Sequence, residues 1–164
     1  METVRYPTPE WLEKSSEGYR ANPEFQKALA KLTIKVYYRI KAEPAWGIDE
    51  DILFGAVVEK GELLKLAFCS EEEAKKEAEY IMTATPQEWK KILRKENKFL
   101  TDFMLGKISL EQGSKVGVLG VAPHADTFVA ALTQTELQFP DEMSPEELAE
   151  FRSYVKTFRA ELVV

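Results

Sequence analysis

The sequence predicts a domain in which helices cover a largely antiparallel sheet. Residues 32–41 alternate between apolar and polar side chains, which is typical of a half-buried strand. Two later apolar segments are joined by Lys60-Gly61, a tight hairpin connection. Other segments begin with a helix cap followed by proline, as at Asn22 and Ser144. The chain has 164 residues, of which 45% are hydrophobic, and this suffices for one domain with a substantial core.

Two helices are predicted before the first strand. Thr8 lies between two prolines and can cap a short helix that we expect to end near Gly18. Asn22 caps the second helix, and Pro23 takes its first position. In the strand at 32–41, we expect the apolar residues to face the core and the basic residues to be solvated.

The next predicted elements are a hairpin and a third strand. The hairpin pairs Ile52–Glu59 with Glu62–Cys69. Both of its faces carry apolar residues, so helices must cover one face, and a ligand or another part of the chain the other. Ser70 can cap a short helical turn before a strand at 79–84.

Short helices and one Gly-rich segment complete the order. Thr85 caps a helix that carries Trp89, and Gly106 ends the helix after it. We expect residues 114–120 to form a strand and Pro123 to begin another helix. Ser144 and Glu147 form a capping box that begins a helix running nearly to the end of the sequence.

Composition disfavours several classes of function. The net charge is −6 and the isoelectric point about 5.0, which argues against a nucleic-acid surface and against stable anchoring on an anionic membrane. No apolar run approaches the roughly 20 residues that span a bilayer. The first residues lack the order of a signal peptide, and the single Cys69 suits a reducing compartment.

The sequence shows no set of residues that points to catalysis, a cofactor or a metal. His124 could act as a general base at a helix start, but it has no Ser-His-Asp or Cys-His motif around it. Cys69 ends an apolar strand, which favours a buried, inert thiol. The acidic clusters at 49–51 and 71–73 lack calcium-loop spacing, and the glycines at 113–120 do not form a phosphate-binding motif.

The remaining evidence for function is a set of large apolar side chains. Trp89, Phe99, Phe103, Met104 and Phe128 recur at helical spacing, which most often means ordinary core. The predicted sheet already supplies a core face of its own, so the chain carries more apolar lining than one two-layer core requires. The surplus is consistent with a hydrophobic pocket.

The order of these parts resembles the sterol carrier protein-2 (SCP-2) family of lipid-binding domains, over about residues 25–135. The resemblance rests on Ala78-Glu79-Tyr80-Ile81-Met82-Thr83, a helix with Trp89, a second helix ending Leu105-Gly106-Lys107, then Ser114-Lys115-Val116-Gly117-Val118-Leu119-Gly120 and a helix with Leu132. Glu79 stands where the family usually has Asp, and Ser114 aligns where it usually has Gly.

The resemblance implies an α+β fold with a five-stranded, mainly antiparallel sheet covered by helices on one face. It also implies an apolar tunnel for a sterol, fatty acid or fatty acyl-CoA, with no catalytic set and no cofactor. We expect this ligand site to be lined by Trp89, Ile92, Phe99, Phe103, Met104, Phe128 and Leu132. The family's C-terminal Ser-Lys-Leu signal is absent, so we expect a cytoplasmic protein.

The leading hypothesis is therefore the binding and intracellular transfer of a lipid. The alternatives are a small enzyme that acts on an apolar substrate through His124 or Cys69, and an interaction module without a cavity. We divide the chain into residues 1–140, the lipid-binding domain, and residues 141–164, a C-terminal amphipathic helix. That helix could be a brace or a lid on the same domain, or the contact of a homodimer.

Overall fold

The computed structural model describes residues 2–164. The strands are β1 (Thr3–Arg5), β2 (Ile34–Ile40), β3 (Ile52–Glu59), β4 (Glu62–Cys69), β5 (Tyr80–Ala84), β6 (Ser109–Gln112) and β7 (Glu136–Gln138). The α-helices are α1 (Pro9–Ala21), α2 (Pro23–Ala28), α3 (Glu71–Glu77), α4 (Pro86–Leu93), α5 (Phe99–Met104), α6 (Lys115–Val121), α7 (Ala125–Leu132) and α8 (Pro145–Leu162). Short 3-10 helices occupy Pro44–Trp46, Ala122–His124 and Pro140–Glu142.

The main sheet is five-stranded, in the order β4-β3-β2-β5-β6. Its central strand β2 is antiparallel to β3 and parallel to β5, so that Tyr38 lies between Phe54 and Met82. The outer pairs, β3 with β4 and β5 with β6, are antiparallel. This mixed, mostly antiparallel sheet with its helices confirms the predicted α+β fold.

Local signals explain most of the observed elements. The hairpin turn has positive φ at Lys60 (47°) and Gly61 (83°), the conformation that a two-residue hairpin loop requires. The hydroxyl of Thr8 accepts from the Trp11 N–H at 3.2 Å, and that of Ser144 accepts from Glu147. These caps place the starts of α1 and α8 where the sequence predicted them.

Helix α1 runs past the predicted stop at Gly18 and ends at Ala21. The side chain of Gln134 packs where a Cβ of Gly18 would lie. The glycine therefore allows Gln134 to approach α1 closely and does not end the helix. The expectation that Gly18 ends the helix is therefore wrong.

Residues 114–120 form a helix, and the predicted strand at this position is wrong. Ser114 accepts from the Gly117 N–H at 3.0 Å and caps α6. The strand lies earlier, in β6, where Leu110 pairs with Met82. Gly117 lies against the ring of Tyr80, which leaves no room for a side chain, and this contact explains a glycine within the helix.

The second face of the sheet is covered at the middle of β2, where a solvated basic face was expected, whereas Lys35 and Lys41 are exposed as predicted. Helix α3 lies over Tyr37 and Ile81, which are 0% and 2% exposed, in a small separate core. Arg39 is only 7% exposed and pairs with carboxylates from three other segments, at Asp51, Glu71 and Glu111. These carboxylates stabilise the buried guanidinium in place of water.

The C-terminal helix α8 packs on the same chain. Phe151, Val155 and Phe158 are buried, and the Phe158 ring stacks on Phe68 of β4 with centroids 5.3 Å apart. Arg152 adds an ion pair with Asp49 at 2.6 Å. The apolar side of this predicted amphipathic helix thus packs within the chain.

Candidate functional site

An apolar cavity of about 60 Å³ lies between the sheet and the helices; we call it the inner cavity. The sheet face of β2, β3 and β5 forms its floor, and α1, α4, α5 and α7 form most of its walls. Its lining is Tyr6, Trp11, Ile34, Val36, Tyr38, Phe54, Met82, Trp89, Ile92, Leu93, Phe99, Val121, Ala125, Phe128, Val129 and Leu132.

Regular spacing places these side chains. Ile34, Val36 and Tyr38 alternate along β2 and therefore share one face. On α4 and α7 the lining residues recur at intervals of three and four, as on one side of a helix. The floor is thus a strand face and the walls are helix faces.

The wall of the inner cavity carries no formal charge. Among residues 2–164, those that line it include no Asp, Glu, Lys, Arg or His. The indole N–H of Trp11 donates to the Leu132 carbonyl at 2.8 Å, and that of Trp89 donates to the Arg39 carbonyl at 3.0 Å. Burial raises the pKa of Tyr6 and Tyr38, so both phenols stay neutral at physiological pH.

A second apolar cavity, of about 20 Å³, adjoins the first; we call it the hairpin cavity. It lies under α1, α2 and the hairpin, next to Tyr19, Leu29 and Leu63. Tyr38, Phe128 and Leu132 line both cavities. The two cavities therefore share a wall formed by these three side chains.

A wider polar recess of about 330 Å³ adjoins the other side of the inner cavity; we call it the vestibule. Ile92, Phe99, Ala125 and Val129 line both spaces. The remaining walls of the vestibule are polar or charged: Lys95, Asn97, Lys98 and Asp126. The charged recess and the uncharged interior therefore share an apolar wall.

Two buried carboxyl groups join α4 to α5 beside the vestibule. Glu88 and Asp102 are 7% and 2% exposed, and the amide of Asn97 donates to Asp102 at 2.8 Å. Burial and the contact with Asp102 raise the pKa of Glu88 from 4.5 to about 7. The hydrogen bond from Glu88 lowers the pKa of Asp102. Below neutral pH, Glu88 is thus protonated, and its carboxyl group donates a hydrogen bond to the ionised Asp102 carboxylate.

The structure brings together most of the residues predicted for the ligand site. Trp89, Ile92, Phe99, Phe128 and Leu132 line the inner cavity. Phe103 instead packs behind Phe99, with ring centroids 5.8 Å apart, and Met104 is 68% exposed. A ligand-binding role for the seven residues stays a prediction, and the geometry favours the five on the wall.

Sequence reasoning missed the floor and the end of the cavity. The alternation along β2 assigns Val36 and Tyr38 to ordinary core, yet both line the cavity. That alternation marks them as facing inward, but the position of the opposing helices decides that a space remains there. Tyr6 reaches the site because β1 pairs in parallel with β7, a contact between the two ends of the chain.

Neither His124 nor Cys69 is among the residues that line the inner cavity. Cys69 is buried in the core on the second face of the sheet, and burial raises the pKa of its thiol to about 12. His124 belongs to the 3-10 helix before α7. Within residues 2–164, no group of three or more His, Cys, Asp and Glu side chains is arranged to hold a metal ion. None of the helices in that range is both long and apolar enough to cross a bilayer.

Three solved structures share this architecture. A conserved protein of Thermus thermophilus, described as a candidate sterol carrier protein, superposes with a TM-score of 0.70 at 16% identity, over 80% of this chain and 90% of that one. The crystal structure of sterol carrier protein 2 gives 0.66 at 16% identity, over 78% and 97%. Apo sterol carrier protein 2 from Yarrowia lipolytica gives 0.52 at 8% identity, over 77% and 89%.

The chain therefore has an SCP-2-like fold, as the resemblance in its sequence implied. No protein-family model and no curated protein matches the sequence.

Proposed function

We propose that this protein binds a lipid in the inner cavity and serves as its carrier. The observation that carries the proposal is an uncharged apolar cavity between sheet and helices that shares a wall with a charged vestibule. Such a space suits a ligand with an apolar body and a polar end. The names of the similar structures, which describe sterol carrier proteins, support the same class of ligand.

The cavity must widen when a lipid enters. At about 60 Å³ it is well below the roughly 150 Å³ of an engineered cavity that admits benzene. The shared wall formed by Tyr38, Phe128 and Leu132 offers a first step, because outward rotation of these side chains adds the hairpin cavity of about 20 Å³, and further lining side chains must also move. Binding then joins the vestibule, the inner cavity and the hairpin cavity into one tunnel.

The energetics allow useful affinity. A sixteen-carbon chain gains on the order of 12 kcal/mol from burial at about 0.8 kcal/mol per methylene. Association, ordering and widening remove a large share of this gain, and an affinity in the micromolar range remains.

We assign transfer rather than catalysis to the site, and an intracellular place of action. The inner cavity is lined by hydrocarbon and neutral phenols, and the buried Cys69 thiol, with its raised pKa, lies on the other face of the sheet. A carrier needs reversible binding only, which such a lining provides.

We propose residues 1–140 as the lipid-binding unit and residues 141–164 as its brace. Helix α8 buries Phe151, Val155 and Phe158 against the rest of the chain. Within the part of the chain that the structure describes, the residues lining the inner cavity all precede this helix. A brace fits these positions better than a lid or a dimer contact.

Two experiments test the proposal. Organic extraction of the purified protein, followed by mass spectrometry, should yield a lipid that heat-denatured control protein does not retain. The second experiment enlarges a side chain on the wall that the vestibule and the inner cavity share, with Ala125→Leu, and uses Ala130→Leu on the same helix as the control. Ala125 lines both spaces, whereas Ala130 lines neither.

We expect Ala125→Leu to weaken binding of 1-dodecanol, measured by displacement of the neutral probe N-phenyl-1-naphthylamine, by about tenfold or more, which corresponds to about 1.4 kcal/mol. Ala130→Leu should bind as the parent does. Equal affinity of both folded variants would show that the ligand lies elsewhere.

A further inference from the structure

A pair of buried carboxyl groups connects two helices of the cavity wall. Glu88 lies on α4, which also carries Ile92 of the inner cavity. Asp102 lies on α5, which begins at Phe99, a residue that lines both the inner cavity and the vestibule. We call the pair, together with Asn97, whose amide donates to Asp102 at 2.8 Å, the carboxyl latch. The latch therefore joins α5 to α4 beside the wall that the two spaces share.

Helix α5 has few other attachments. Only Asp102 and Phe103 of its six residues are buried, and its N-cap residue, Lys98, makes no side-chain capping hydrogen bond. Two of its apolar residues, Leu100 and Met104, are exposed. A helix of this length is not stable on its own, so its position depends on the two buried side chains. Asp102 is thus one of the two anchors of α5.

The surroundings of the latch are poorly suited to two negative charges. Glu88 and Asp102 are both buried, and among residues 2–164 the Oε2 atom of Glu88 has no hydrogen-bond partner. The cations that act on the pair, Lys91 of α4 and Lys107 just after α5, are exposed. Helix α7 packs on α4, and its one ionisable side chain, Asp126, is also acidic. The other charged side chains on this helix contact different residues of it: Glu43 contacts Gln87, and Asp141 and Glu142 contact Lys90.

The hydrogen bond between the two carboxyl groups exists only while Glu88 holds its proton. Burial and the contact with Asp102 raise the pKa of Glu88 from 4.5 to about 7. When Glu88 ionises, this hydrogen bond is lost and two like charges face each other in a buried site. If α5 separates from α4, water reaches both groups and the pKa of Glu88 returns to its ordinary value. Separation is therefore increasingly favoured as the pH rises from about 4.5 to about 7.

We propose that the carboxyl latch is a pH-sensitive gate of the inner cavity. While Glu88 is protonated, α5 stays on α4 and Phe99 completes the wall between the vestibule and the inner cavity. When both carboxyl groups are ionised, α5 separates from α4 and Phe99 leaves that wall, so a ligand exchanges faster. This inference rests on the proposed lipid-binding function and adds the condition that controls uptake and release.

The first test follows α5 in the ligand-free protein by amide hydrogen exchange. The N–H groups of Asp102 and Leu105, which donate to the carbonyls of Lys98 and Thr101, report on α5, and those of β3 report on global unfolding. The two pKa values of Glu88 predict that opening of α5 rises about 20-fold between pH 5.5 and pH 7.5, after correction for the intrinsic pH dependence of exchange. Opening of α5 only together with β3 at both pH values would overturn the gate, because the helix would have no motion of its own.

Two matched variants identify the group that controls this opening. Glu88→Gln keeps a hydrogen-bond donor for Asp102 at every pH and should abolish the rise. Glu96→Gln removes an exposed carboxylate from the loop between α4 and α5 and should follow the parent. A rise that persists in Glu88→Gln would overturn the proposal, since another group would then control α5.

The second test measures release of the neutral probe N-phenyl-1-naphthylamine by stopped-flow displacement with excess 1-dodecanol. Release from the parent and from Glu96→Gln should be about 20-fold faster at pH 7.5 than at pH 5.5, whereas Glu88→Gln should release the probe slowly at both. Equal release rates of the parent at the two pH values would overturn the gate, even with an opening α5. A parent that binds the probe at neither pH would overturn the proposed function, and with it the gate, whatever the exchange of α5 shows.

Discussion

Replacing Glu88 with glutamine should make the stability of the protein less dependent on pH. The side chain of Glu88 is buried against Asp102 between α4 and α5, and its pKa is raised from 4.5 to about 7. Between these values the native state holds a proton that the unfolded chain has released. The free energy of unfolding of the parent therefore falls as pH rises through this window.

The size of the effect follows from the width of that window. Each pH unit contributes at most about 1.4 kcal/mol, so the parent should lose about 3 kcal/mol between pH ~4.5 and ~7.5 through this group. The glutamine amide in Glu88→Gln does not titrate in this range, and it can donate a hydrogen bond to the Asp102 carboxylate in place of the protonated acid. We therefore expect the variant to exceed the parent in stability by about 3 kcal/mol at pH 8 and by much less at pH 5.

Urea denaturation at half-unit steps from pH 5 to pH 8 measures this difference. Groups that titrate in both proteins contribute equally to the two stabilities, so the difference between the curves reports on Glu88. The lowered pKa of Asp102 affects the free energy of unfolding only in more acidic solution. Glu72→Gln, on the exposed side of α3, is the matched control and should follow the parent. If the free energies of unfolding of the parent and of Glu88→Gln change with pH in parallel, the raised pKa of Glu88 is refuted.

Three further substitutions probe parts of the fold. Arg39→Leu leaves the carboxylates of Asp51, Glu71 and Glu111 facing one another, and should cost about 3–5 kcal/mol of unfolding free energy at pH 7 but less at pH 4, by urea denaturation. Phe158→Ala should cost about 3–5 kcal/mol in the same assay without changing the affinity for 1-dodecanol, since Phe158 does not line the inner cavity. Cys69→Ser should also leave that affinity within about twofold; a larger loss would assign the thiol a role in binding.

The elements with local signals were predictable from sequence. Thr8, Asn22, Ser70, Thr85 and Ser144 each cap the helix that they were predicted to begin. Caps are reliable because the hydroxyl or amide and the N–H that it accepts from are only two or three residues apart. The same holds for the Lys60-Gly61 turn.

Elements that depend on distant contacts were not predictable in this way. The burial of Arg39 depends on carboxylates 12, 32 and 72 residues away, so its alternating position on β2 suggested a solvated face instead. Residues 114–120 were predicted as a strand but form a helix, in which Gly117 lies against the ring of Tyr80. A pattern of residues identifies an inward-facing side chain but not what lies opposite it.

The candidate site was predictable in part for the same reason. Helical spacing identified Trp89, Ile92 and Phe128 as inward-facing, and these line the inner cavity. The vestibule could not be predicted from the sequence. Lys95 and Lys98 line one recess with Asp126 only because α7 packs beside the turn after α4. Met104, at the end of the short α5, shares the spacing of the set but points to solvent.

The position of a bound alkyl chain tests lipid binding in the inner cavity most directly. Nuclear Overhauser contacts can be measured between methylene protons of 1-dodecanol and methyl groups of the protein labelled at Ile, Leu and Val. The account predicts contacts to Val36, Ile92 and Val129, which line the inner cavity. Contacts confined to exposed residues such as Leu105 and Val116 would contradict it, because the chain would then lie on the surface.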